Sequence, residues 1–343
     1  MNPGVAPRLQ AARALAPGVL LAGVVALAAG FIADHQGGPQ LLYALLIGLA
    51  LHFLSRDERV KPGLDFASRT LLRAGVALLG LRITLAQVGA LGWGTAVLVI
   101  GGVATTVGLG LLLARGLRRP AAEGLISGCA VGICGASAAL AVASVLPRTR
   151  DNERFTLLAV VGVTLLSTVA MVLYPVLVRI AGWSPAQAGV FFGATIHDVA
   201  QVVAAGMMLS SAGDTAAADS ATVVKLLRVA LLMPVVMLVA LVLRPPADAA
   251  EPGADVPLVP GFLLAFVALM MLGTTSLVPA ELVAAAGAAS RSFLVIAIAA
   301  AGIKTSFEDL LRLGWAPVAL LLAETAWIAM LAAVGIAAGL SAA

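Results

Sequence analysis

Charge is what this chain has least of. Asp, Glu, Lys and Arg together make up 11% of its 343 residues, against 61% hydrophobic residues. A soluble domain carries about 25% charged residues, so a water-exposed globule is excluded. Cysteine is nearly absent: Cys129 and Cys134 lie in one apolar segment, which argues against a disulfide framework, and two thiols alone cannot complete a zinc shell. The signatures HExxH, GxSxG and the phosphate-binding P-loop are also missing. No enzyme, metal site, cofactor or ATP-driven pump is therefore expected. The chain has a formal charge of +4 and an isoelectric point near 9.6, but its Arg and Lys cluster in loops between apolar runs. That distribution is a membrane-topology signal and leaves no basic face for nucleic acid.

Long apolar runs are what the chain has instead, with a mean hydropathy of +1.07. Runs of about 20 residues suit a helix crossing a ~30 Å hydrocarbon core, whereas a β-barrel would show short alternating strands. The expected fold is an all-α polytopic membrane protein of about 9–11 transmembrane helices, in a single domain over residues 1–343. Candidate spans lie near 14–33, 39–54, 70–86, 94–114, 121–146, 156–178, 186–210, 222–243, 258–278, 289–303 and 316–340. The expected subdivision is an N-terminal helix over 1–38, first repeat helices over 39–115, interrupted helices with an intervening span over 121–210, and second repeat helices over 258–343. Arg8 and Arg13 precede the first run in signal-peptide fashion, but the many spans that follow favour an uncleaved helix.

With a cytoplasmic N-terminus, the loops holding Arg56, Arg59 and Lys61 and holding Arg115, Arg118 and Arg119 both fall inside. Segment 121–146 breaks the pattern, because Arg148, Arg150 and Arg154 flank its far end as densely. A hairpin that enters and returns on one side removes the conflict, and a broken crossing is the alternative. The same choice applies in mirror image to 186–210, whose following loop holds Asp214 and Asp219.

The chain repeats itself. SRTLLRAGVALLGLRITLAQVGALGW (68–93) aligns without gaps on SRSFLVIAIAAAGIKTSFEDLLRLGW (290–315) at a constant offset of 222, since 290 − 68 = 222. In the topology above the two copies run in opposite directions, the construction of secondary transporters that rock around a midplane site. A duplication kept for packing alone is the alternative.

Two segments concentrate glycine: Gly128, Gly132 and Gly135 in the first, Gly189 and Gly193 in the second. Such clusters serve either close helix packing or a break. Ser137 and Thr195 follow as hydroxyls suited to cap a new half-helix, and Thr195-Ile-His-Asp198 has capping-box spacing. A half-helix N-terminus at mid-membrane offers free N–H groups to an anion. The stretch GATIHDVAQ places His197, Asp198 and Gln201 in this costly environment, which marks either a pathway with one proton-carrying group or a buried His–Asp contact tying helices together. Lys225 and Arg228, three apart in the next helix, are countercharges for Asp198 or for an anionic substrate, or else snorkel to headgroups. The candidate binding set is Gly132, Gly135, Ser137, Gly193, Thr195, His197, Asp198, Gln201, Lys225 and Arg228. Arg82 and Lys304, related by the repeat, are interfacial anchors or paired gates; Glu324 is a second carrier candidate, and His52 is expected at the interface.

The blocks GCAVGICGASA, GATIHDVAQV, KLLR followed by ALLMP, and AGIKTSF with its LGW ending resemble the YeiH-type family of bacterial inner-membrane proteins, the sulfate-exporter family. The resemblance covers the chain from about residue 40 to its end, with the blocks in family order. It implies efflux of sulfate or a related sulfur oxyanion, and a distant similarity to bile-acid, arsenite and sodium/proton transporters with paired five-helix repeats. The sequence departs from that scheme: the interruption follows the repeated helices in one half and precedes them in the other.

The expected function is ion-coupled transport of a small anion, sulfate or organosulfonate, with protons or sodium as coupling ion. The expected partners are that solute, the coupling ion and the lipid bilayer of the bacterial inner membrane, with a homodimer compatible and no nucleic acid. A cation/proton antiporter using Asp198 is the alternative, and a structural membrane protein without transport the alternative from another class.

Overall fold

The computed structural model describes residues 5–36, 40–147, 149–210, 215–242, 261–275, 277–305 and 315–341. Arg148, Asp214 and the 306–314 stretch of the second repeat copy lie outside the described residues. Among the described residues every regular element is helical: α1 (Val5–Gln36), α2 (Gln40–Ala50), α3 (Lys61–Phe66), α4 (Leu72–Leu79), α5 (Leu85–Ala90), α6 (Gly92–Gly116), α7 (Ala121–Cys129), α8 (Ala136–Val145), α9 (Arg150–Ile180), α10 (Pro185–Thr195), α11 (Val199–Leu209), α12 (Ala216–Ala230), α13 (Leu232–Val242), α14 (Gly261–Thr274), α15 (Ala280–Lys304) and α16 (Trp315–Ala337). Helices satisfy their own backbone polar groups, which lipid cannot do for them. Spans Arg13–Gln36, Gly92–Gly116, Arg150–Ile180, Ala216–Val242, Ala280–Lys304 and Trp315–Ala337 are long and apolar enough to cross a membrane, and shorter apolar helices account for most of the rest.

The chain divides into two compact units, Met1–Leu85 with Phe262–Ser306, and Ala86–Gly261 with Phe307–Ala343. Both repeat copies begin in the first unit and end in the second, so the expected subdivision of the sequence does not coincide with this one.

In the first unit α15 packs against α1, α2 and α4. Glycines set the approach: a Cβ on Gly48 would lie 3.1 Å from the Cα of Gly302, and one on Gly18 2.7 Å from the Cα of Gly63. With no hydrophobic drive between helices in lipid, such backbone contact supplies the association energy. Helices α4 and α15 run antiparallel. Ser290 donates from Oγ to the Gly75 carbonyl at 2.6 Å, while seven residues further along the chain Arg82 passes Gly287. Lys304, which pairs with Asp65 and donates to Ser68, is the repeat mate of Arg82, and Asp65 is that of Gly287. The two copies also end their first helix alike, with Ile83 N–H on the Gly80 carbonyl at 3.2 Å and Thr305 N–H on the Gly302 carbonyl at 3.1 Å. His52 donates from Nδ1 to the helix end itself, the Ile303 carbonyl oxygen lying at 2.8 Å.

In the second unit α6 and α16, the helices that begin where the two copies end, also pack antiparallel. A Cβ on Gly94 would strike the Leu340 carbonyl, one on Gly335 would strike Leu98, and Trp327 Nε1 donates to Thr105 Oγ1 at 3.3 Å. Thr105 and Trp327 lie beyond the aligned copies but keep the same offset of 222. Trp93 and Trp315, another equivalent pair, stand 87% and 74% exposed at the starts of their helices. Antiparallel packing puts them at opposite ends, where aromatic side chains favour the two membrane interfaces.

Segments 121–145 and 185–209 are both hairpins. Gly124 and Gly128 of α7 pack backward along α6 on Gly110 and Val107. The chain returns through α8 so that Arg119 and Glu123 beside the start of α7, Asp151 and Arg154 at the start of α9, and Trp315 line one cavity of about 410 Å³. Hydrogen bonds to Glu123 hold the Arg119 guanidinium above its ordinary pKa. The arginine-flanked segment thus enters and returns on one side, as one of the two sequence readings requires. In the other hairpin, Gly189 and Gly193 of α10 run parallel to α12 on Ala217 and Ala221, and Gly206 of α11 packs on Ala218. The start of α10 and the end of α11 therefore meet the same end of α12. A Ser184–Gln187 capping box starts α10, at the far end of the 31-residue α9.

Cysteines introduced at Arg119 and Arg154 in a background lacking Cys129 and Cys134 should react with an impermeant maleimide from the same membrane face, and one at Trp183 from the opposite face. Labelling of positions 119 and 154 from different faces would show a crossing where the hairpin stands.

Candidate functional site at the hairpin tips

The two hairpins meet tip to tip. In the first, a π-helical turn over Ala130–Cys134 leads to Gly135 at φ +68° and ψ −128°, a conformation open only to glycine, and α8 starts at the next residue. In the second, the helix stops at Thr195, Ile196 is extended at ψ 137°, and α11 restarts at Val199. A Cβ on Gly135 would lie 3.5 Å from the His197 carbonyl oxygen.

Each tip leaves carbonyls at a helix C-terminus without intrahelical partners. Lys225 and Arg228, one turn apart on α12 and both 0% exposed, take them up. Lys225 Nζ donates to the carbonyls of Ile133, Ile196 and His197 at 2.8, 3.0 and 2.6 Å. Arg228 donates to Val131 and Gly132 in the first hairpin at 2.7 and 2.9 Å, and to Gly193 and Ile196 in the second at 3.0 and 3.1 Å. Cations also face the negative ends of two helix dipoles there. Among the described residues neither cation has a carboxylate within ion-pair distance. The headgroup-snorkelling alternative is overturned, since neither side chain reaches the surface.

Around this centre stands a ring of side-chain hydrogen bonds. His197 Nε2 lies 3.0 Å from Thr325 Oγ1 on α16, Gln201 Nε2 donates to Thr168 Oγ1 at 2.8 Å, and the Asp198 N–H donates to Ser167 Oγ at 3.0 Å. Among the described residues His197 Nδ1 and Gln201 Oε1 are buried without a hydrogen-bond partner. The His–Asp tie between helices is absent: His197 reaches Thr325, and Asp198 turns to its own chain.

Capping is where the sequence reading needs correction. Thr195 does not open the new half-helix; it is the last residue of the old one and donates to the Phe191 carbonyl at 2.6 Å. Asp198 is the N-cap, accepting from the Ala200 N–H at 2.7 Å. The capping signal was in the chain three residues later, as Asp198-Val-Ala-Gln201, and 196–198 is not helical. Ser137 caps nothing either: Gly135 is the N-cap of α8, with no side-chain bond, and Ser137 is exposed in the first turn. Gly193 and Gly189 serve packing, since a Cβ on either would come within 2.6 Å of an α12 carbonyl. The candidates the structure gathers at the tips are Gly132, Gly135, Gly193, His197, Asp198, Gln201, Lys225 and Arg228. Sequence reasoning missed Ser167, Thr168 and Thr325, because hydroxyls in apolar spans usually bond back to their own helix and give no signal.

Lys225→Met should cost on the order of 3 kcal/mol in unfolding stability by leaving buried carbonyls unpaired, whereas Thr195→Val should cost about 1 kcal/mol because one local bond is lost. Gly135→Ala should cost about 1–3 kcal/mol from backbone strain. Thermal or denaturant unfolding of the purified variants in one detergent measures all three, and near-equal losses for Lys225→Met and Thr195→Val would remove Lys225 from its capping role.

The profile of a family described as "Conserved hypothetical protein 698" matches residues 17–321. The chain is 47% identical over 323 residues to "UPF0324 membrane protein TauZ" of Paracoccus denitrificans, covering 93% of this chain and 94% of that protein. It is 46% identical over 318 residues to "UPF0324 membrane protein CT0845" of Chlorobaculum tepidum, with 92% and 87% covered. With "UPF0324 membrane protein RB0971" of Rhizobium meliloti the identity is 45% over 316 residues, with 92% and 90% covered. No solved structure matches the chain significantly. With its apolar helices and relatives named as membrane proteins, it is a multi-pass membrane protein, and it belongs to the UPF0324 family, consistent with the YeiH-type resemblance.

Proposed function

We propose that this protein is a secondary transporter of a small anion in the bacterial inner membrane, driven by protons or sodium, with sulfate or an organosulfonate as the substrate class. The observation that carries this reading is the pair of buried cations between two hairpin tips. The tips bring together two helix C-termini and two helix N-termini, whose dipole charges of about −0.5 and +0.5 cancel. Lys225 and Arg228 against an ionised Asp198 then leave about one positive charge in a place shielded from water, where it attracts an anion strongly. Gly135 offers α8 no side-chain cap, and although the Ala138 and Ala139 amides bond to the Gly135 carbonyl, the Ala136 and Ser137 amides beside the exposed Ser137 side chain are the donors an anion would meet. The same field repels a cation, which weighs against the cation/proton antiporter.

The antiparallel contacts of α4 with α15, within the copies, and of α6 with α16, which follow the copies at the same offset, support an inverted repeat. Alternating access then follows from movement of one repeat-built half against the other around the tips. The substrate class rests on the resemblance to the sulfate-exporter family, and Asp198 sets the charge the substrate meets.

The test is flux of radiolabelled sulfate, then of an organosulfonate, into proteoliposomes under an imposed pH or sodium gradient. Asn at position 198 keeps the capping oxygen while removing the charge, so Asp198→Asn should fold normally yet, with the uncompensated positive charge doubled, hold the anion too tightly to release it and lose both gradient-driven flux and anion counterflow. Wild-type flux no higher than in empty liposomes for both anions, or an Asp198→Asn protein as active as wild type, would overturn the proposal.

A further inference from the structure

We infer that Glu324 is the proton-carrying group of this protein and that its coupling ion is a proton, an assignment that rests on the transport reading above. Glu324 lies in the middle of α16 with its side chain 0% exposed. Its Oε1 accepts from Ser127 Oγ of α7 at 2.7 Å, and its Oε2 is buried with no partner among the described residues. The carboxyl fills a niche that exists because three neighbouring positions are glycine. A Cβ on Gly110 would lie 2.6 Å from Oε1 and 2.4 Å from the Gly124 carbonyl oxygen, and the Cα of Gly128 is 3.2 Å from the same point.

The charged and titratable groups of the elements packed on this niche do not pair with it. From α7 come Cys129 and, a turn and more away, Glu123, which is bound to Arg119. α6 carries Arg115 in its last turn, α9 has Asp151 and Arg154 at its start, and α10 has no titratable residue. Across the tip, His197 reaches Thr325, the next residue along from Glu324. A carboxylate with one hydrogen bond and no cation is strongly disfavoured in such a place, and a single proton on Oε2 removes the charge. Sodium would need a shell of oxygen ligands, and among the described residues the one side-chain oxygen bonded to this carboxyl is the Ser127 hydroxyl.

The link to transport is positional. Ser127 belongs to a leg of the first hairpin and Thr325 contacts the tip of the second, so both hairpins touch the two residues Glu324 and Thr325 of one helix. A shift of the first hairpin makes or breaks the Ser127 bond, and the proton on Oε2 enters from water on one side and leaves to water on the other as the niche opens alternately.

Two measurements on the full-length protein decide this. Infrared difference spectroscopy across a pH titration, which needs no substrate, should show a protonated-carboxyl carbonyl band that vanishes in Glu324→Gln. In proteoliposomes, Glu324→Gln, a neutral mimic that keeps a partner for Ser127, should lose sulfate flux driven by a pH gradient while retaining sulfate–sulfate counterflow. A band unchanged by Glu324→Gln, driven flux equal to wild type, or driven flux that follows sodium with no pH gradient would overturn the assignment. Because the infrared arm is independent of transport, a wild type inactive toward sulfate would count against the transport reading, while the band still decides whether Glu324 holds the proton.

Discussion

Two cations buried one turn apart on α12 hold the centre of the second unit. Desolvating a lysine and an arginine costs several kcal/mol each, and that cost is offset only where nearly every donor finds an acceptor. Here the acceptors are main-chain carbonyls stranded at the ends of two interrupted helices. Each side solves the other's problem: the carbonyls need donors that no helix can supply, and the cations need acceptors without a competing carboxylate. Arg228 reaches both hairpins with one planar fork and Lys225 with one ammonium, so the tips are held together from a single helix. Guanidinium geometry suits the four-carbonyl position, while the compact ammonium suits the three-carbonyl one.

The rest of the architecture depends on glycine in a different way. Gly48 against Gly302, Gly18 against Gly63, and Gly110 against Gly124 bring backbones together where water offers no drive for apolar association. At Gly135 the requirement is conformational, and at Gly110 it is also room for a carboxyl. A substitution by alanine therefore has different consequences at these positions: loss of helix contact at Gly48, a misdirected tip at Gly135, and displacement of Glu324 at Gly110.

Polar side chains in this protein are few, and their placement is economical. His197, Gln201, Asp198 and Glu324 each bond to a hydroxyl or amide within reach, and several keep one atom unpaired in a buried place. Unpaired buried polar atoms are rare in well-packed proteins and carry a cost. Among the described residues three of them, on His197, Gln201 and Glu324, gather at the hairpin tips and beside them, with Ser341 Oγ beyond α16 the exception, and that cluster fits the transport cycle proposed above.

Composition alone determined the class: with so little charge and so much apolar length, only a helical membrane fold could form, and most spans were legible within a few residues, although α15 starts at Ala280 where the sequence suggested 289. The 222-residue repeat was legible too, because Ser-Arg, Gly-aliphatic-base and Leu-Gly-Trp recur in register. Only the tertiary structure decided that segments 121–145 and 185–209 return, because periodicity is the same for a crossing and for a hairpin and the difference lies in which neighbour each leg meets. It also moved the helix start from Thr195 to Asp198, since a Thr in an apolar run bonds its own preceding turn unless the backbone turns away. Lys225 and Arg228 could be read as important, but their partners are backbone carbonyls 28 to 97 residues away. A carbonyl has no side-chain identity, so no spacing in the sequence could have named it.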